Sequence, residues 1–213
     1  MNLEIDKKSL ILEKAKDMII TESYSSLSIS KLTSELNISK GSFYTYFPSK
    51  DKMLTEILDE YIKNITVFKN NLKKNSKNID DCLEYYVNSI LNLTDEELKL
   101  ELVIANLKRN YEVFNEENFI KLKKIACIMI DLVKEILKKY KNTVKIEEKN
   151  IERCAKLLFS ITEVFLIMEN VDFNSNRFSF KTLEEVKKMY RSKDMKEHLE
   201  FIKNSVKKII CWY

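Results

Sequence analysis

Between Ser28 and Lys50 the chain gathers hydrogen-bonding side chains: Ser28, Ser30, Ser39, Lys40, Ser42, Tyr44, Thr45, Tyr46 and Lys50, with Gly41 in their midst. A lysine can reach a guanine edge or a phosphate, a serine can hydrogen-bond a base, and a threonine can offer its methyl group to thymine. Tyrosine and lysine also hold phosphates, which fixes register and makes affinity salt-dependent. Bond-breaking chemistry is poorly served by the same set. The one histidine, His198, lies far away among Lys196, Glu197 and Glu200, whereas hydrolytic nucleophiles need a base held beside them. A single glycine cannot build a glycine-rich phosphate loop, and no pair of carboxylates stands out. An enzyme is not expected.

Charge points the same way. The net charge is only +4, but its placement is informative. From Ser23 to Lys50 the basic residues are Lys31, Lys40 and Lys50 against Glu35, while the other acids of the first fifty residues fall before Ser23; a small positive face follows. Cys82, Cys127, Cys154 and Cys211 are widely spaced, with no C-x-x-C pair and no nearby histidine, so neither a metal site nor a cofactor is expected. Such cysteines act as small hydrophobes and fit a reducing compartment, the cytoplasm. The N-terminus does not resemble a signal peptide. The longest apolar run, Ile125 to Ile130, falls far short of the ~20 residues of a membrane span.

The elements that position these groups are helices. Hydrophobic residues make up 45% of the chain and charged residues 33%, with one glycine and one proline in 213 residues, a mixture that suits amphipathic helices and starves tight turns. An all-α protein of about nine helices is expected. Leu10, Ile11, Ala15, Met18 and Ile19 mark a first helix ending near Tyr24. Ser28 caps a second, with Ile29, Leu32 and Leu36 inward, and Asn37 ends it by adopting the left-handed conformation. Ser39 caps a third, whose Phe43 and Phe47 form a buried edge and leave the remaining faces for a partner. Pro48 closes that helix, and Ser49 caps a longer fourth one carrying Leu54 to Leu72 in register. Five more helices are predicted near 79–93, 95–110, 116–140, 147–170 and 181–210.

Helix, tight turn and short polar-edged helix is the layout of a helix-turn-helix. The run Ile38-Ser-Lys-Gly-Ser-Phe-Tyr-Thr-Tyr-Phe-Pro-Ser-Lys50, followed by Met53-Leu54, closely resembles the recognition helix and helix-four start of the TetR family of bacterial repressors. The resemblance is strong over residues 8–60 and architectural beyond. Asn37 stands where a glycine is more usual, and Ser30 where the family often has a longer side chain. The resemblance implies a DNA-binding head over 1–50 and a dimerising, effector-binding helical body over 51–213. It further implies a homodimer on double-stranded, near-palindromic operator DNA with half-sites about 34–36 Å apart or a multiple of that, repression relieved by a small, largely apolar effector, and Ser28, Ser30, Ser39, Lys40, Gly41, Ser42, Tyr44, Thr45, Tyr46 and Lys50 at the DNA.

Tyr61, Phe68, Tyr86, Phe119, Phe159 and Phe165 are the candidate effector contacts. The dimer stripe is expected among Leu158, Ile161, Phe165, Val186, Tyr190, Leu199, Ile202, Val206 and Ile209, which sequence alone does not separate from internal core. A helical DNA-binding or protein-interaction module without an effector is the alternative.

Overall fold

A computed structural model describes residues 6–108, 114–169, 171–172, 179–180 and 182–211. Among the described residues ten α-helices run in order: α1 Lys7–Glu22, α2 Ile29–Glu35, α3 Lys40–Tyr46, α4 Lys50–Asn75, α5 Ile79–Leu91, α6 Asp95–Leu107, α7 Glu116–Lys139, α8 Ile151–Glu169, α9 Leu183–Tyr190 and α10 Lys193–Cys211. A 3-10 turn, Glu148–Asn150, precedes α8, and Val171–Asp172 pairs antiparallel with Ser179–Phe180. The all-α expectation holds. The tenth helix arises because the predicted 181–210 segment is broken at Arg191 and Ser192, where the Ser192 hydroxyl accepts from the Met195 amide and starts α10 afresh. The α9 start carries a reciprocal box between Thr182 and Glu185.

The chain divides into two compact units, one of residues up to Ile62 with Glu96–Lys123, the other of Lys63–Asp95 with Lys124 onward. Both α4 and α7 contribute residues to each. In the first unit Ile11, Ala15, Ile19, Leu32, Phe43, Phe47, Met53, Leu54, Ile57 and Leu58 are all fully buried, so the small helices α1 to α3 share one core with the first turns of α4. Segments of α6 and α7 belong to that unit, bringing buried Leu98, Leu102 and Val103 as well as polar contacts. Buried Asn118 accepts a hydrogen bond from the Thr55 hydroxyl at 2.9 Å and donates to the Asp51 carbonyl at 3.1 Å. The Tyr61 hydroxyl reaches the Glu101 carboxylate at 2.9 Å. A cationic clamp adds to these: Lys16 lies between Glu13 and Glu60, and Lys99 between Glu13 and Asp17. Burial by itself pushes the Glu13 carboxyl up, but hydrogen bonds from Lys16 and Lys99 outweigh it and hold the group below the usual carboxylate range.

In the second unit Leu72, Cys82 and Leu132 form a core flanked by Phe68, Tyr85, Met129, Ile136 and Tyr140. Ion pairs line its edges, Lys69 and Lys73 on Glu135, Lys203 on Glu84 and Lys207 on Asp80. The four cysteines are free thiols. Among the described residues no helix is long and apolar enough to cross a membrane.

The expected stripe divides, with Ile161 and Ile209 exposed and most of the rest covered. Leu158, Val186, Tyr190, Leu199, Ile202 and Val206 are buried inside the chain. What stays exposed on α8 is Leu157, Ile161, Val164 and Met168, one turn apart in each step, with Phe201 at 71% exposure and Ile209 at 42% on α10. Both helices are apolar on more than one face, so periodicity alone cannot tell which stripe the chain covers for itself.

Candidate nucleic-acid interface

The head builds its surface from caps and corners. The Ser28 hydroxyl accepts from the Lys31 amide at 3.2 Å, and Ser39 from the Ser42 amide at 3.1 Å. Between the two helices Asn37 takes a φ of 54°, the left-handed corner its side chain tolerates. Phe43 and Phe47, with ring centroids 5.6 Å apart, anchor α3 in the core, and Phe47 is the residue where α3 stops before Pro48.

The opposite face of α3 is turned to solvent. Lys40, Gly41, Tyr44 and Thr45 are exposed, as are Ser28, Ser30 and Ser39 around the corner, whereas Ser42, Tyr46 and Lys50 are half-buried. Thr45 donates its hydroxyl proton to the Gly41 carbonyl at 3.0 Å, which satisfies the polar atom internally and leaves the methyl as its outward character. Lys31 pairs with Glu22 and Glu35 with Lys14. Lys40 has no carboxylate within ion-pair distance among the described residues, so its charge faces outward uncompensated.

Gly41 is the informative position. Its φ is not positive, and a Cβ built there would meet only the Ser39 Oγ at 3.6 Å, an ordinary contact. Nothing inside the fold therefore requires a glycine. Its presence in a helix costs about 1 kcal/mol relative to alanine, and what it provides is a backbone that another molecule can approach closely.

Lys50 has a role that sequence reasoning missed. Its ammonium donates to the carbonyls of Tyr24 and Leu27 at 3.1 and 3.0 Å and lies 4.3 Å from the centre of the Tyr24 ring. The Tyr24 hydroxyl in turn donates to Asp51 at 2.6 Å. Desolvation lowers the Lys50 pKa. Lys50 thus ties the loop between α1 and α2 to the start of α4, a long-range contact with no local sequence signal.

The six candidate effector residues separate. Phe68, Tyr86 and Phe159 line one cavity of the second unit, formed by α4, α5, α7, α8 and α10. Tyr61 is buried in the first unit and Phe119 is exposed there. Phe165 packs edge-on against His198, centroids 6.1 Å apart. That contact half-buries His198, which sequence placed on a polar surface; Glu169 and Asp194 each stand 3.6 Å from one of its ring nitrogens.

Residues 11–57 match the model of the bacterial regulatory proteins, tetR family. The head is similar in sequence to that family. Across 56 residues it is 41% identical to the uncharacterized HTH-type transcriptional regulator YuxN of Bacillus subtilis, a match covering 26% of this chain and 19% of that protein. Across 58 residues it is 34% identical to the HTH-type transcriptional regulator EthR of Mycolicibacterium smegmatis, 27% of each chain. The matches therefore span about a fifth to a quarter of those relatives. A TetR transcriptional regulator from Legionella pneumophila has a similar fold along 99% of this chain and 100% of its own, with a TM-score of 0.67 at 18% identity. The TetR likeness is thus one of sequence in the head and of fold elsewhere.

Proposed function

We propose that this chain is a homodimeric, sequence-specific DNA-binding transcriptional regulator of the cytoplasm, a repressor released from a near-palindromic operator by a small, largely apolar effector. The observation that carries the reading is Gly41: the lone glycine of the chain occupies a helix position where the fold has no use for it, on the one face of α3 that presents Lys40, Tyr44 and Thr45 outward. In this reading Lys40, Ser42 and Thr45 read base edges. Ser28, Ser30, Ser39, Tyr44 and Tyr46 border the phosphates and set register, while Lys50, expected there from sequence, has its ammonium engaged within the head. The exposed stripe of α8 and α10 is the dimer contact, and effector binding favours a form whose heads no longer match the operator spacing.

Selection of binding sites from random DNA tests this directly. The expected outcome is a near-palindrome, bound more weakly by Tyr44→Ala and by Gly41→Ala, although Gly41→Ala makes the head more stable by about 0.5–1 kcal/mol. Weakened binding together with raised stability separates a DNA role from a folding role. Enrichment of no sequence, or undiminished binding by both variants, would sink the reading and leave an architectural or protein-binding module.

A further inference from the structure

The cavity of the second unit has a volume of about 100 Å³ and is walled almost wholly by hydrocarbon, including Phe68, Leu132, Val133, Phe159 and Val206. Apolar cavities of roughly 150 Å³ in proteins stay dry and take up benzene, so the space here suits a single ring or its equivalent. No free charge faces it. Lys203 contributes to the wall, but its ammonium is bound to Glu84 at 2.8 Å and Glu200 at 2.6 Å. The Cys82 thiol is pushed up by burial and stays neutral. An ionic ligand would lose its hydration and find no counter-charge.

Thr162 on α8 adds direction to this chemistry. Its single hydroxyl proton points to the carbonyls of Leu158 and Phe159, each at 3.0 Å. A threonine hydroxyl has one proton and two lone pairs; with the proton engaged by the helix, the oxygen can only accept.

We infer that the cavity binds a neutral, ring-sized aromatic molecule bearing one hydrogen-bond donor, a phenol or its equivalent, with the Thr162 oxygen as the acceptor. This inference deepens the effector part of the proposed function and rests on it only for the consequence that binding releases DNA.

Calorimetric titration of the full chain with phenol, toluene, benzoate and benzylammonium tests it. Phenol and toluene have nearly the same shape and differ in the donor. Both should bind saturably and both ions should fail. In Thr162→Val the phenol-to-toluene affinity ratio should fall about three- to tenfold, the worth of one neutral hydrogen bond, while Thr162→Ser and Tyr86→Phe keep it. Thermal melts of each variant establish that it is folded. Equal binding of the ions, no binding of either neutral probe, an unchanged ratio in Thr162→Val, or its loss in Tyr86→Phe instead would overturn the assignment. Operator affinity is measured separately: phenol binding that leaves it unchanged upholds the site and defeats the regulatory scheme, whereas intact operator binding without phenol binding does the reverse.

Discussion

At the scale of single residues, two backbone positions show how glycine scarcity is absorbed. Asn37 and Ser23 both have positive φ, 54° and 89°. Asn37 sits in the left-handed helical well, where asparagine is tolerated; Asn37→Ala should cost about 1 kcal/mol in urea unfolding and Asn37→Gly almost nothing. Ser23 is different. Its φ of 89° with ψ of 156° lies in a region essentially reserved for glycine, which stores on the order of 1–3 kcal/mol. Ser23→Gly should therefore raise the unfolding free energy by about 1 kcal/mol or more, and an unchanged midpoint would disprove the strain. The Asn37 corner was legible because a capping serine follows two residues later. Ser23 gave no warning, since the conformation is imposed by how α1 hands the chain to the buried Tyr24 and not by any turn-forming composition nearby.

At the scale of elements, the first unit is held by a polar clamp. Glu13 is held below the usual carboxylate range, so its contribution is present above that range and is lost as pH falls through the lowered value. Lys16 behaves conversely. Burial alone would lower its pKa, but the hydrogen bonds it donates to Glu13 and Glu60 raise it above the ordinary lysine range, so its contribution persists through neutral pH and is lost only as pH climbs through the raised value. Stability should thus be flat around neutrality and fall in acid, with Glu13→Gln flattening the acid limb of a denaturation series. Asn118→Ala removes two hydrogen bonds from a fully buried site and should cost about 2–3 kcal/mol. Helix existence and most boundaries could be read from periodicity and caps, down to Ser28, Ser39 and Ser49. The Asn118 contact could not, because it joins residues more than sixty positions apart. The break before α10 was missed for another reason: Ser192 interrupts a run whose apolar spacing continues nearly in phase, so the pattern looked like one helix.

For the whole molecule, the exposed apolar stripe on α8 and α10 makes the dimer proposal concrete. Ile161→Lys or Phe201→Glu should yield monomers in sedimentation equilibrium, with helix content unchanged by circular dichroism. Operator affinity should fall because two linked heads are replaced by one. A dimer that survives both changes would move the interface elsewhere. The exposed edge of α3, with Lys40, Gly41, Tyr44 and Thr45, agrees with the sequence expectation because it depends on one short helix and its cap. The stripe was not legible, because only tertiary packing decides which face of an apolar helix is left over. The effector candidates fared in between: Phe68, Tyr86 and Phe159 share one cavity, but Tyr61 lies in the other unit.

The brevity of α3 limits how much information the protein can carry. Its seven residues rise about 10 Å, the length of roughly three base pairs. In the proposed dimer two such helices would inspect about six base pairs, a pattern that chance repeats about once in 4,000 positions and so hundreds to hundreds of thousands of times among the roughly 10⁶–10⁹ competing sites of a genome. In that scheme unique addressing would come from the distance between the two heads and from the stiffness and groove width of the DNA between them. Insertion of one base pair at the operator centre should erase recognition as completely as the loss of a contacted base.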